Sequence, residues 1–182
     1  MGKLNGSICY MAGPIERATD LGVSWRDKFV EQTKEIGVRI LNPCNKPPSC
    51  MPEVKEGQRI ADDIRAKGDW LQMQTFAKTI RREDLRFVDI CDFLVIYINR
   101  DIYTVGSWDE LFVAESQRKP VLAIVEGGIK YLPTWLFAVF ELHEVFDSVE
   151  GCVSYLADLN DGTKEMDRRW FLIRDYLKDI EA

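Results

Sequence analysis

"EDLRFVDICDFLVIYI", residues 83–98, changes its periodicity half-way along. Upstream, Ile80, Asp84 and Val88 fall four residues apart, so they share one face of a helix. Downstream, "FLVIYI" at 93–98 is an unbroken apolar run. Such a run, short and bounded by polar residues, marks a central parallel strand covered on both faces. A helix that feeds a strand of this kind is half of a repeating β–α unit, and parallel neighbours need such crossovers.

The units on either side fit. "PVLAIV" at 120–125 is a second buried strand, residues 6–11 and "VRIL" at 38–41 two more, and "HEVFD" at 143–147 a fifth at the sheet edge. Between the first two, Trp25, Phe29, Thr33 and Ile36 follow a helical period. Further helices are expected at 75–91, 107–118, 133–141 and 148–159, and a last one at about 163–181, where Met166, Trp170, Ile173 and Leu177 form an apolar stripe. The expected fold is α/β: a flavodoxin/Rossmann-like open sheet of about five mostly parallel strands flanked by helices, in a single domain over 1–182. Residues 42–74 break the rhythm with Pro43, Pro47, Pro48, Pro52, Gly57 and Gly68. A connection that long is usually functional. It reads as a lid with a short helix near 57–66, or equally as a decorative insertion.

Composition excludes several classes. The 182 residues are 46% hydrophobic and 30% charged, with a formal net charge of -6. That is a globular balance, and it argues against a nucleic-acid polymer as partner, since Arg81 and Arg82 make the only notable basic patch. No apolar stretch approaches the ~18 residues of a membrane span, and no secretory signal is evident. Five cysteines, Cys9, Cys44, Cys50, Cys91 and Cys152, read as free thiols of a cytoplasmic protein. Cys44 and Cys50 lack a CxxC partner or a nearby histidine, the lone one being His143, so neither a metal nor a cofactor is expected.

In an open parallel sheet, ligands bind outside the carboxyl ends of the strands. Three features converge there. In "YMAGPIE", Gly13 bares the backbone for a ligand, Pro14 fixes the turn, and Tyr10 presents a phenol near the strand end. In "NRDIYTVGSWDELFVA", Gly106 opens a helix that carries Glu110 on its packed side, while Asp109 suits the helix dipole. Asp84 interrupts the apolar stripe of its own helix, where a carboxylate needs a partner or a raised pKa. Two carboxylates at one cleft suit acid–base or nucleophilic chemistry at a sugar carbon.

"YMAGPI", "EDLRFVDICDFLVIYI" and "VGSWDELFVAESQRKPVLAI", in this order and with 26 positions from Asp84 to Glu110, resemble the nucleoside 2-deoxyribosyltransferase family, its phage-type branch most closely. The resemblance covers roughly residues 8–157. It implies that Glu110 is the nucleophile at the anomeric carbon, that Tyr10 holds that carboxylate, and that Asp84 helps the leaving base take a proton. It places Thr104 on the substrate and Thr134 in a neighbouring subunit's site, which implies a homo-oligomer. The implied ligand is a nucleoside or nucleotide, with transfer or hydrolysis through a glycosyl–Glu110 ester. The sequence departs from the pattern at Glu16, where the monophosphate-hydrolysing branch has arginine beside this chain's Arg17. It departs again at Trp108 and Phe112, where relatives have glycine. Competing readings are an NAD-type N-glycosidase on a similar fold and a nucleotide-binding protein without turnover.

Overall fold

The computed structural model describes residues 2–170. Five parallel strands form one sheet in the order β2-β1-β3-β4-β5. They are β1 (Ile8–Ala12), β2 (Arg39–Leu41), β3 (Phe93–Ile98), β4 (Val121–Val125) and β5 (Val145–Phe146). In this flavodoxin-like order the chain reverses direction across the sheet between β1 and β3, so the crevice for a ligand opens above those two strands.

Side chains alternate along each strand, and the two faces meet different helices. Cys9, Met11, Phe93, Val95, Leu122 and Ile124 pack toward α1 (Val23–Thr33) and α5 (Val149–Asp161). Tyr10, Ala12, Leu94 and Ile96 face the opposite way. There they meet α3 (Trp70–Ile90) through Val88 and α4 (Gly106–Ser116) through Leu111 and Ala114. This alternation sends the Tyr10 ring to the side where the carboxylates lie. Asp69 caps α3 by accepting from Gln72 N–H at 2.9 Å, and Ser148 caps α5 from Gly151 N–H at 3.2 Å.

Four expectations need correction. In the 42–74 stretch the short helix expected near 57–66 is present as the twelve-residue α2, Glu56–Lys67, closed by Gly68 at φ 66°, but α3 begins at Trp70, earlier than expected. The irregular part is therefore 42–55, where proline withholds donors and helix geometry alike. The helix expected at 133–141 is a short 3-10 segment, Thr134–Ala138, placed directly after Pro133. The fifth strand holds only two residues, Val145 and Phe146. Residues 163–167 are not helical, and only Arg168–Trp170 make a 3-10 turn. The remainder of the expected terminal helix, with Ile173 and Leu177, lies outside the described residues. Met166 and Trp170 do join the core, Trp170 against Phe93 at 5.2 Å between ring centroids. Arg169 holds this turn with a bidentate pair to buried Glu144 at 2.7 and 2.8 Å.

The loop after β1 is fastened from behind. Arg26 of α1 is fully buried. Its guanidinium donates to the carbonyls of Gly22 at 2.8 Å and Gly13 at 2.9 Å and lies over the Trp25 ring at 4.6 Å. Trp25 in turn stacks on Tyr97 at 5.2 Å. Gly13 has φ +154°, and a Cβ there would meet Trp25 Cζ2 at 3.0 Å and Tyr97 Cβ at 3.2 Å. Its bareness thus serves this packing as well as the cavity in front. Gly13→Ala is expected to cost about 1–3 kcal/mol through backbone strain and the Trp25 contact. A urea denaturation midpoint equal to that of the unsubstituted protein would show that the packing does not require glycine.

Candidate functional site

Above β1 and β3 lies a cavity of about 720 Å³, within the range of small-molecule sites. The loop after β1, the loop before α4, and helices α2 and α3 form its walls. Gly13, Pro14, Thr104, Gly106, Asp84 and Glu110 all line it. A Cβ on Gly106 would enter open space, so glycine there keeps volume free and relieves no clash. Met73, Phe76, Ile80 and Trp108 make one side apolar. Phe112, by contrast, is 41% exposed and not part of the lining.

At the cavity floor the Tyr10 hydroxyl donates to Glu110 Oε1 at 2.8 Å, joining residues 100 apart in sequence. Tyr10 is fully buried, and Glu110 is 8% exposed. Burial first, then the negative charges of Glu110 and Asp84, push the Tyr10 phenol well above its usual range, so it stays a donor. Burial and the Asp84 charge push Glu110 up to about 8, against the stabilising Tyr10 hydrogen bond. Asp84, on the cavity-facing side of α3, is also buried. Burial raises its carboxyl, and the Lys46 ammonium opposes this.

Lys46 was invisible as a site residue in the sequence. Its side chain is 2% exposed beneath the proline-rich loop. Its Nζ lies 2.5 Å from Glu53 Oε1, 2.6 Å from Asp84 Oδ1 and 3.7 Å from Glu83 Oε2. Burial pulls the ammonium down, but the charges of Glu53 and Asp84 outweigh that, and Lys46 stays protonated. Glu53 lines the cavity, and burial with the Asp84 charge pushes it up to about 7 while Lys46 opposes. Arg26 was missed for the same reason: only the fold shows that a helix arginine turns inward.

Other polar groups are engaged at the rim. Arg81 pairs with Asp109 at 2.7 Å, tying α3 to α4, so Asp109 does more than face a helix dipole. Glu16, at the position where arginine was noted in one branch, pairs with Arg65 of α2 across the cavity mouth. Thr104 Oγ1 lies 2.9 Å from Ser107 Oγ at the start of α4. Thr134 is not brought to this cavity: it is exposed in the 3-10 segment beside Trp135, itself 78% exposed. Among the described residues no cluster of three metal-ligating side chains occurs, and no helix is long and apolar enough to cross a membrane.

No protein-family model matches this sequence, and no curated protein matches it. Solved structures do match. The chain is similar to the 2-deoxyribosyltransferase of the psychrotolerant bacterium Bacillus psychrosaccharolyticus, with 19% identity and a TM-score of 0.56, over 85% of this chain and 97% of that one. It is similar to the 2-deoxyribosyltransferase from Leishmania mexicana, with 17% identity and a TM-score of 0.56, over 84% of this chain and 97% of that one. Likeness at these identities is likeness of fold. The chain thus has an open α/β fold of five parallel strands that it shares with two 2-deoxyribosyltransferases.

Proposed function

We propose that this protein cleaves the N-glycosidic bond of a nucleoside or nucleotide, transferring the (deoxy)ribosyl group to another base or to water through an ester on Glu110. The observation that carries this reading is the buried Tyr10–Glu110 hydrogen bond at the floor of the cavity, with Asp84 alongside. A carboxylate held by a phenol that keeps its proton has one oxygen fixed and the other free to attack. The apolar wall of Met73, Phe76 and Ile80 suits the face of a base. A protein that only bound nucleotides would have no use for a buried, desolvated carboxylate, which costs stability.

Glu110→Gln is expected to abolish base release from every member of a nucleoside and nucleotide panel, read by chromatography for free base. A 2-fluoro-2-deoxy nucleoside should add one sugar mass to the Glu110 peptide of the unsubstituted protein. Unchanged turnover in the variant would remove Glu110 from the mechanism. The same variant reports on stability. Because the folded Glu110 carboxyl is raised from 4.5 to about 8, its contribution is fully present below about pH 4.5 and is lost as pH rises through about 8. The variant should therefore melt several degrees above the unsubstituted protein at pH 8, a gain on the order of a few kcal/mol. The gap should narrow at pH 5.

Tyr10→Phe removes the hydrogen bond that favours ionised Glu110. The rising limb of kcat/KM, where Glu110 loses its proton, should move to higher pH, and the rate at pH 7 should fall roughly tenfold or more. A pH profile that overlays that of the parent would show that Tyr10 serves only the core.

The working form is proposed to be a homo-oligomer in which Thr134 reaches a neighbour's cavity. The exposure of Trp135 at 78% and Phe137 at 47% beside it supports a covered surface there. Trp135→Ser with Phe137→Ser should lower the mass measured by sedimentation. An unchanged mass would place any interface elsewhere.

A further inference from the structure

The second carboxyl of the cavity is not a single group. Lys46 Nζ lies within 2.6 Å of both Glu53 and Asp84, beneath a loop that seals the ammonium from water. Facing this ammonium are Glu53 of the loop, Glu83 and Asp84 of α3, and the Phe87 ring at 5.9 Å. Beyond Asp84 stand Glu110 and Tyr10, and Arg26 contributes a more distant positive charge. Arg26 is committed to the backbone carbonyls of Gly13 and Gly22. Glu83 accepts from Met51 N–H at 2.9 Å, which fixes it as a loop anchor. Among the described residues, three cavity carboxyls, Glu53, Asp84 and Glu110, are thus left with one close ammonium. Like charges this near cannot all ionise. Glu110, raised to about 8, keeps one proton until it ionises for attack, and a second is shared between Glu53 and Asp84.

We propose that this proton resides on Glu53 and that Glu53, brought over the cavity by the proline-rich loop and positioned by Lys46, is the donor to the departing base, while Asp84 stays ionised as its partner. Three observations favour Glu53 over Asp84. An aspartate is intrinsically the stronger acid. Glu53 lines the cavity as Asp84 does, but it alone of the two is carried by the proline-rich loop that covers Lys46. Burial and the neighbouring charge bring Glu53 up to about 7, and the contact between the two carboxyls raises Glu53 while lowering Asp84.

The inference rests on the glycosidic reading above, and its atoms balance as follows. The C1′–N bond breaks with its electron pair passing to the base. A ring nitrogen or carbonyl oxygen of the base takes the Glu53 proton. A Glu110 oxygen forms the new C1′–O bond. Glu53 is left as a carboxylate beside Lys46, and it recovers a proton from the water or incoming base that later displaces Glu110.

The test compares Glu53→Gln, Asp84→Asn, Lys46→Met, Lys46→Arg and Glu110→Gln, using the nucleoside on which the parent acts fastest. Glu53→Gln should slow base release about 100-fold or more and erase the alkaline limb of the kcat/KM profile, which a merely structural role would not do. Lys46→Met should move that limb to higher pH, because the ammonium no longer favours ionised Glu53, and Lys46→Arg should restore it. Carboxyl-carbon NMR titration of the ligand-free parent should show Glu53 taking its proton at higher pH than Asp84, independently of any turnover. Base release by Glu53→Gln within threefold of the parent, or Asp84 titrating above Glu53, overturns the inference. With Glu110→Gln still inactive, the glycosidic reading then stands. A parent that releases no base from any nucleoside or nucleotide overturns both.

Discussion

One hydrogen bond organises the centre of this molecule. Tyr10 sits on β1, Glu110 on α4, and their 2.8 Å contact spans a hundred residues. Each group needs the other. A phenol with no exposed surface requires an acceptor, and a carboxyl at 8% exposure requires a donor. The parallel order that places β1 beside β3 makes the meeting possible, since α4 departs from β3 and returns across the face to which Tyr10 points. The burial that makes the pair costly also makes it useful. Buried away from bulk water, a fixed phenol acts on the carboxylate with a strength it would lack at the surface.

The carboxyl groups nearby turn this local arrangement into a balance of charge. Among the described residues Lys46 is the one ammonium within contact of Glu53 and Asp84, and it is carried by the least regular part of them. Pro47 and Pro48 follow it directly, and Pro52 precedes Glu53. Their fixed φ angles limit the conformations this loop loses on folding, which lowers the cost of ordering a segment with few backbone hydrogen bonds. Met51 N–H on Glu83 and Lys46 on Asp84 then tie the loop to α3. The cavity wall and the charge balance are therefore one structure.

Much of this was legible in the sequence, and the exceptions have physical reasons. The run 93–98 and its neighbours identify the parallel sheet because strands buried on both faces tolerate almost no polar side chain. Tyr10, Asp84 and Glu110 stand out because each is a polar group at a position where periodicity demands an apolar one, and the structure brings all three together. Arg26, Lys46 and Glu53 do not stand out. Each lies in a stretch rich in charge, "SWRDKF" or "NKPPSCMPEVKE", where a surface position is the ordinary outcome. Their burial follows from contacts distant in sequence, which no local period encodes. Gly13 was legible as a special glycine, but its partner was not: Trp25 and Tyr97 crowd it from behind. The 3-10 segment at 134–138 was lost because Pro133 and a strong apolar pattern imitate a helix start, while tertiary contacts allow only a single tight stretch.

The sheet ends on both sides in strands of minimal length, three residues in β2 and two in β5. A row of unpaired backbone groups that short is a poor template for another chain, and Arg39 places a charge on the β2 edge. Short edges of this kind disfavour growth of the sheet from copy to copy. They also constrain how subunits can associate. Contact between copies is then favoured through helices and loops over extension of the five described strands.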